Sequence, residues 1–473
     1  MRAVAEGRTY RFEPLQRGGL LLGLSAGQLG LVAGSVLVAF VAVKELPGVA
    51  GWGSATAAVG LAGASCRPVL GRSPLQWAEV ACSYLLRPKR QILAPPVAVM
   101  NGRTRVTTRR GAEKTFAAGV YLQEAVLPHM GPVGVLTDER SGTAAALLRA
   151  RGGPFCLLDE PAKQLRTAAW AGLLESVANQ RSAVAALQWC QRAVPVAGRP
   201  LRRPQPPDEG EPLLSSGSRA PAGLPDETGF RSWHHETFLV VALRAPSRRR
   251  LVPRETAVAL GNELAALRSQ LHAMGIACDG PLDARGCAAA IGASLVPGLG
   301  RHSAAHPWPL STEEHWSEVR ADGYWHRVYW VAEWPRAGVG PDFLSPLLVA
   351  RAQRCFSVVM APVPPERAAR DAESSRTAQL ADAKLRAQGG FLETARQRRR
   401  AEAVQSREAE LADGRGSYRF AGYVAVSAPS MAELDRCCGE LERSAGAAQL
   451  CLRPLYGQQR EGLSWALPFG RGV

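Results

Sequence analysis

The chain has 473 residues, enough for a membrane anchor and two or three modest domains with their own cores. Its formal net charge of +16 invites nucleic acid, but the arginines are spread over every segment and only Lys44, Lys89, Lys114, Lys163 and Lys384 are lysines; high-GC coding accounts for that better than a phosphate-binding face, and a lipid surface ranks above DNA as the partner. Ten cysteines scattered from Cys66 to Cys451, with no CxxC spacing, exclude a metal framework and a paired-cysteine redox site, and in a reducing cytosol they pack as small apolar residues.

Two uncharged apolar runs, 18–43 and 46–66, dominate the first part of the chain. The first exceeds the ~20 residues a helix needs to cross a bilayer. The second is Gly/Ala-rich, a composition that also suits a packed soluble hairpin, but two adjacent runs of spanning length predict a transmembrane helical hairpin. A cleaved signal peptide has a shorter apolar core and no second run behind it. Gly51, Gly53, Ala55, Ala57, Gly60, Gly63 and Ala64 let a neighbouring helix approach closely. Arg2, Arg8, Arg11 and Arg17 precede the pair, and Arg67, Arg72, Arg87, Lys89 and Arg90 follow it, while the loop holds only Lys44 and Glu45. Positive charge stays on the cytoplasmic side, so the expectation is a two-pass protein of the cytoplasmic membrane with both termini and the main body in the cytoplasm.

Tyr10, Phe12 and Arg17 before the runs, and Arg67, Arg72, Trp77 and Tyr84 after them, are the aromatic and cationic types that anchor membrane interfaces. Residues 73–90, with Leu75, Val80, Leu85 and Leu86, predict an amphipathic helix near the cytoplasmic face and complete an anchor region over 1–90.

The remainder predicts an α+β fold. In a first cytoplasmic domain, 91–196, residues 133–137, 143–150 and 155–158 read as short strands, the first two joined by a DERSG turn. Leu165, Ala169, Trp170, Leu173, Leu174 and Val177 repeat at helical spacing, and 183–194 is a further strand. Residues 197–226, dense in Pro, Arg, Gly and Ser, form a linker that divides the body. A second α+β region, 227–364, offers a strand at 236–245, a helix at 254–274 with Val258, Leu264, Leu267 and Leu271 on one face, a strand at 324–334 stopped by Pro335, then a short helix and a strand ending near 363. Residues 365–414 form a charged helical hairpin interrupted at Gly389 and Gly390. Acid and base nearly cancel there, and only Arg396, Arg398, Arg399 and Arg400 stand out as a candidate partner or anion contact. A small strand-helix-strand unit of ferredoxin-like type, with Ser430 as N-cap, closes the body over 415–473.

Catalytic signatures are missing. A P-loop needs GxxxxGK[ST], and none of the lysines follows a glycine. His302 and His306 are four apart with His315 and His326 nearby, but HExxH is absent and Pro307 and Pro309 oppose a helix; a zinc hydrolase on His302, His306 and His315 is disfavoured. His234, His235 and Glu236 lack a GxSxG elbow. Trp308, Trp316, Trp325, Trp330 and Trp334 suit core packing or a partner surface better than a ligand cage. The expectation is a non-enzyme without metal or cofactor.

The opening YRFEPLQRGGLLLGLSAGQL with its two apolar runs resembles the PrgI-type small membrane proteins of conjugative type IV secretion. The segments GVLTDERSGTAAALLRARGGPFCLLD, DGYWHRVYWVAEWP, YVAVSAPSMAELD and LRPLYGQQREGLSWALPFGR, together with the charged helical region, are similar to the amino-terminal, non-ATPase part of the large conjugation ATPases. The resemblance implies a fusion of the two with the motor missing, a type found in conjugation-like gene clusters of high-GC Gram-positive bacteria. It carries over no catalytic residue. It implies a scaffold held in the lipid bilayer that docks a separate P-loop secretion ATPase, beside other membrane proteins of the apparatus and as a homo-oligomer. A type VII secretion membrane component has the same hydropathy profile, and a membrane-anchored nucleic-acid adaptor using Arg248 to Arg250 and Arg396 to Arg400 is a further alternative.

Overall fold

A computed structural model describes residues 26–45, 48–66, 69–92, 117, 119–153, 155–179, 182–195, 233–245, 252–296, 308–388 and 394–473. Two apolar helices, α1 (Ala26–Glu45) and α2 (Val49–Cys66), pack against each other across a short connection in which Gly48 takes a positive φ of 70°. Over Gly27–Glu45, α1 is long and apolar enough to cross a membrane, and it is the one such helix among the described residues. Its Val36, Leu37 and Phe40 are exposed.

After α3 (Pro74–Leu86) and a short strand β1 (Arg90–Ile92), the chain runs through β2 (Val120–Leu127), β3 (Gly131–Asp138), β4 (Thr143–Arg151), α4 (Glu160–Asn179), β5 (Val184–Pro195), β6 (Trp233–Arg244), α5 (Arg254–Ala273), β7 (Ala277–Pro281) and α6 (Ala284–Leu295). It continues through β8 (Ser311–Glu314), β9 (Val319–Ala321), β10 (Tyr324–Glu333), α7 (Ser345–Leu348), β11 (Arg354–Val363), α8 (Pro365–Gln388), α9 (Ala395–Ala412), β12 (Ser417–Ala428), α10 (Met431–Ala447), β13 (Cys451–Pro454) and α11 (Gln459–Ala466). The strand expected at 155–158 is instead a 3-10 turn, Phe155–Leu157: the apolar stretch is short and leads straight into the cap of α4, where Asp159 Oδ1 accepts from the Ala162 amide at 3.0 Å.

The strands form one antiparallel sheet in the order β1-β8-β9-β10-β12-β11-β5-β6-β4-β3-β2, with β13 on β10 and β7 on β4. The division expected at 197–226 is therefore not a division of the sheet. That segment lies outside the described residues, but β5 and β6 on either side of it pair with each other from Val184↔Leu243 to Pro195↔Trp233. The closing strand-helix-strand unit likewise belongs to the sheet, because β12 lies between β10 and β11 while β13 pairs with β10. Strands at the centre are buried on both faces, which explains why β4 and β6 read as continuous apolar runs. Helices α4 and α5 cover one face of the first half, with Leu260, Leu264, Leu267 and Leu271 against Leu148, Leu239 and Val241. On the same face of the second half, α10 and α7 pack on Tyr329, Phe356, Val424 and Val426. Helix α6, α11 and the residues that follow α11 cover the other face.

Without β1, the strand order is the same read from either end: β8, β9, β10, β12, β11 match β2, β3, β4, β6, β5. The match extends to detail. Leu260, Leu264, Leu267 and Leu271 of α5 correspond at constant offset to Leu434, Cys438, Leu441 and Ala445 of α10, all buried. Both helices end in a left-handed residue, Gly275 (φ 74°) and Gln449 (φ 56°), after which Ile276 N donates to Leu271 O at 2.9 Å and Leu450 N to Ala445 O at 2.8 Å. Leu282 N donates to Leu147 O, and Leu455 N to Val328 O, both at 2.9 Å. The pairing of β7 with β4 and that of β13 with β10 are both irregular, and each carries an ion pair, Arg151–Asp279 and Arg453–Glu333, with the charges exchanged between partners. The sheet body is an internal duplication. Its halves meet at β5 and β11, where Arg354↔Ala193 to Met360↔Leu187 pair and Trp189 meets Phe356 edge-on at 5.6 Å.

Helices α8 and α9 lie between β11 and β12, where the matching place in the first half holds 196–232. Ala368, Ala372 and Val404 are buried, Arg376 pairs with Glu408 at 2.7 Å, and the rest of the two helices is strongly charged.

Candidate functional site

The feature that joins the apolar helices to the sheet is α3. A tight turn precedes it: Val69 and Arg72 exchange both backbone hydrogen bonds (2.8 and 3.0 Å) across Leu70 (φ 49°) and Gly71 (φ 84°). Helix α3 then starts on a capping box, Ser73 Oγ accepting from Gln76 N at 3.4 Å and Gln76 Oε1 from Ser73 N at 3.0 Å, with Pro74 at the first helical position. At i, i+3 and i+7, Trp77, Val80 and Tyr84 share one face.

That face meets two loops of the second half. Trp316, between β8 and β9, lies 6.2 Å from Trp77 and edge-on to Tyr84 at 5.1 Å; Tyr456, after β13, lies 6.3 Å from Trp77 and stacks on Trp316. Gly457 (φ 70°) closes the contact, its amide donating to Trp316 O at 2.7 Å. A Cβ there would stand 2.6 Å from the Trp316 ring and 2.9 Å from Val80, so both backbone conformation and space require glycine. Trp77 Nε1 donates to Val69 O at 2.8 Å, and the Arg72 guanidinium sits 5.5 Å from the Trp77 ring.

A charged network adjoins the aromatic cluster. Arg90, Gln91 and Ile92 of β1 pair with Glu313, Thr312 and Ser311, extending the sheet directly from α3. Buried Glu314 accepts from the Arg460 amide at 3.1 Å and faces its guanidinium at 3.4 Å; Arg460 Nη1 reaches Pro88 O at 3.2 Å and Arg87 pairs with Glu461 at 3.2 Å. Lys89 lies over the Tyr84 ring and donates to Tyr84 O. Burial raises the Tyr84 pKa, with Glu314 and Glu318 adding to it. Burial lowers Arg72 against the opposing influence of Tyr423, and lowers Arg460 against the pull of Glu314. These groups hold α3 in place; the arrangement offers no nucleophile paired with a base.

The outer face of α3 differs. Leu75, Leu85 and Leu86 are exposed (45, 76 and 82%), as are Val69 and Leu70 in the turn, and Leu75 reaches α1, where a Cβ on Gly27 would meet it at 3.0 Å. Of the expected interface anchors, Arg72, Trp77 and Tyr84 are thus brought together, with their aromatic rings directed to the sheet body, while the leucines occupy the open face. Tyr10, Phe12, Arg17 and Arg67 lie outside the described residues. Arg396, Arg398, Arg399 and Arg400 are on α9, with Arg398 exposed, and belong to the charged helices rather than to this junction. In the sequence Trp316 stands only as one of a Trp-rich stretch, and Tyr456 and Gly457 only within the segment LRPLYGQQREGLSWALPFGR that carries the family resemblance, with nothing to single them out as partners of α3.

Among the described residues no group of three His, Cys, Asp or Glu is arranged to hold a metal ion. His302 and His306 lie outside them; the His315 ring lies tilted against Trp325 with centroids 5.4 Å apart, and fully buried His326 meets Ser427 Oγ at 2.8 Å, burial pushing its pKa down to about 3. Cysteines 190, 287, 355, 437 and 438 are buried in the cores, whereas Cys82 and Cys451 are exposed. Comparison with protein-family models and with curated proteins finds no match.

Proposed function

We propose that this protein is a non-enzymatic inner-membrane scaffold of a type IV secretion or conjugation-like apparatus. Helices α1 and α2 form a two-pass anchor, α3 lies along the cytoplasmic face with its leucines toward lipid, and the sheet body is a cytoplasmic platform that docks a separate P-loop ATPase in a homo-oligomeric assembly. The observation that carries this reading is the exposed apolar surface of α1, continued by the outer leucines of α3 and tied by the aromatic cluster to the edge of a large sheet. These 473 residues contain no GxxxxGK[ST], which is why this reading gives the motor role to a separate partner. Charged α8 and α9 form a projecting hairpin in this reading, and lipid headgroups are the natural counter-ions of Arg72 and Arg90.

The test is extraction of native membranes with alkaline carbonate, followed by ATP-hydrolysis measurements on the detergent-purified chain. The scaffold reading expects retention in the carbonate pellet and no hydrolysis by the purified chain. Release into the supernatant, or turnover by the protein alone, overturns it. The ATPase that co-purifies separates the two machines, a conjugation ATPase indicating type IV and an FtsK-like ATPase type VII secretion.

A further inference from the structure

We infer that the segment from Tyr456 to Gly472 is a coupling element that transmits changes at the α3 junction to the seam between the two halves of the sheet. At its beginning, Tyr456, Gly457, Arg460 and Glu461 make the junction contacts described above. In α11, Gln459 fills a gap in the sheet: its side chain accepts from Val328 N at 2.7 Å and donates to Val328 O at 3.3 Å, where β10 passes from β9 to β13.

The chain then crosses the seam. Trp465 O accepts from Gln188 Nε2 of β5 (3.1 Å) and from Ser357 Oγ of β11 (3.0 Å), so one carbonyl joins both halves. Ala466 O accepts from Cys355 Sγ at 3.1 Å, Leu467 O from Gln188 Nε2 at 2.9 Å, and Gly470 N donates to Gln188 Oε1 at 2.7 Å. Arg471 pairs with Asp138 of the first half at 2.9 Å, while Tyr423 of the second donates to Gly472 O. No residue from 455 to 472 is exposed. The segment is held by side chains of both halves rather than by a strand ladder of its own, and its other end is the junction itself. A shift of α3 therefore cannot be absorbed in a surface loop and acts directly on the contacts of Gln188 and Ser357. This inference rests on the proposed anchor only for the origin of the displacement, namely movement of the apolar helices relative to the sheet.

The test is hydrogen exchange of the full chain in detergent, comparing wild type with Trp316→Ala and with the milder Arg87→Ala, which removes only a half-exposed ion pair. Exchange is expected to rise about five-fold or more in 462–470 and in the seam strands around 187–191 and 354–359, while β2 and α5, which the segment does not touch, stay within about two-fold of wild type. Coupling is reciprocal, so Gln188→Leu should accelerate exchange in α3. Acceleration confined to α3 and the β8–β9 loop overturns the inference, as does uniform acceleration that includes β2 and α5, and so does an unchanged α3 in Gln188→Leu. Carbonate extraction of the same variants reads the anchor separately: protein that washes off removes the scaffold reading without touching the exchange result.

Discussion

Gln188→Leu removes the side chain that clasps the C-terminal segment to the seam. Gln188 is completely buried and makes three hydrogen bonds, to Trp465 O, Leu467 O and Gly470 N. After truncation to an apolar side chain, Trp465 O keeps Ser357 Oγ, and Leu467 O keeps the Phe469 amide at 2.8 Å. Gly470 N is left buried without its partner. An orphaned buried donor costs about 1–3 kcal/mol, and losing two neutral hydrogen bonds whose acceptors retain a partner costs roughly 0.5–1 kcal/mol each. Removing the desolvation of the amide offsets part of this, so the expected loss is about 2–4 kcal/mol. Urea unfolding of the detergent-purified full chain, followed by circular dichroism and run beside Gln123→Leu in strand β2 as control, measures it. A loss below about 0.5 kcal/mol, equal to the control, would refute the reasoning that this side chain clasps the two halves.

Three further outcomes follow from the geometry. Gln449→Gly should stabilise the chain by about 1 kcal/mol and Gly275→Ala destabilise it by a similar amount, because both positions hold the left-handed residue that ends corresponding helices; equal signs in thermal unfolding would contradict the correspondence. His326 is held neutral by burial, with a pKa of about 3 against about 6.5 when unfolded, so its folded-state pKa is depressed. Stability is then unaffected by this group above pH 6.5 and declines as the unfolded state takes up protons, by about 2 kcal/mol at pH 5, a dependence that His326→Gln should flatten in pH-series denaturation. Gly457→Ala forces a side chain into the Trp316 and Val80 contact at a left-handed position and should cost about 2–4 kcal/mol, with a change in tryptophan fluorescence as α3 loosens; an unchanged spectrum would count against the packing described.

The elements with strong periodicity were legible in the sequence: α4, α5 and α10 from their apolar faces, and β5, β6, β10, β11 and β12 from their apolar, β-branched and aromatic content. The short strands β7, β8, β9 and β13 owe more to neighbours than to their own composition, and of these only β13 was anticipated. The duplication was hidden because the corresponding cores keep position and burial but neither identity nor volume: Leu264 matches Cys438, Leu271 matches Ala445, and a left-handed Gly matches a Gln. Composition made 197–226 look like a domain boundary, yet pairing of β5 with β6 is decided by register across it. Trp77 and Tyr84 read as membrane-facing because aromatic and cationic residues beside an apolar run usually are. Their partners, Trp316 and Tyr456, are hundreds of residues away in sequence and close only when the sheet forms.

The central claim, a membrane-held platform for a separate motor, is tested most directly by affinity capture of the tagged full chain from detergent-solubilised native membranes, with quantitative mass spectrometry of what accompanies it. The account predicts a P-loop ATPase at fixed stoichiometry to the scaffold, retained through washing at high salt. Capture of the chain alone, or with nucleic acid that survives nuclease treatment and no ATPase, would contradict it.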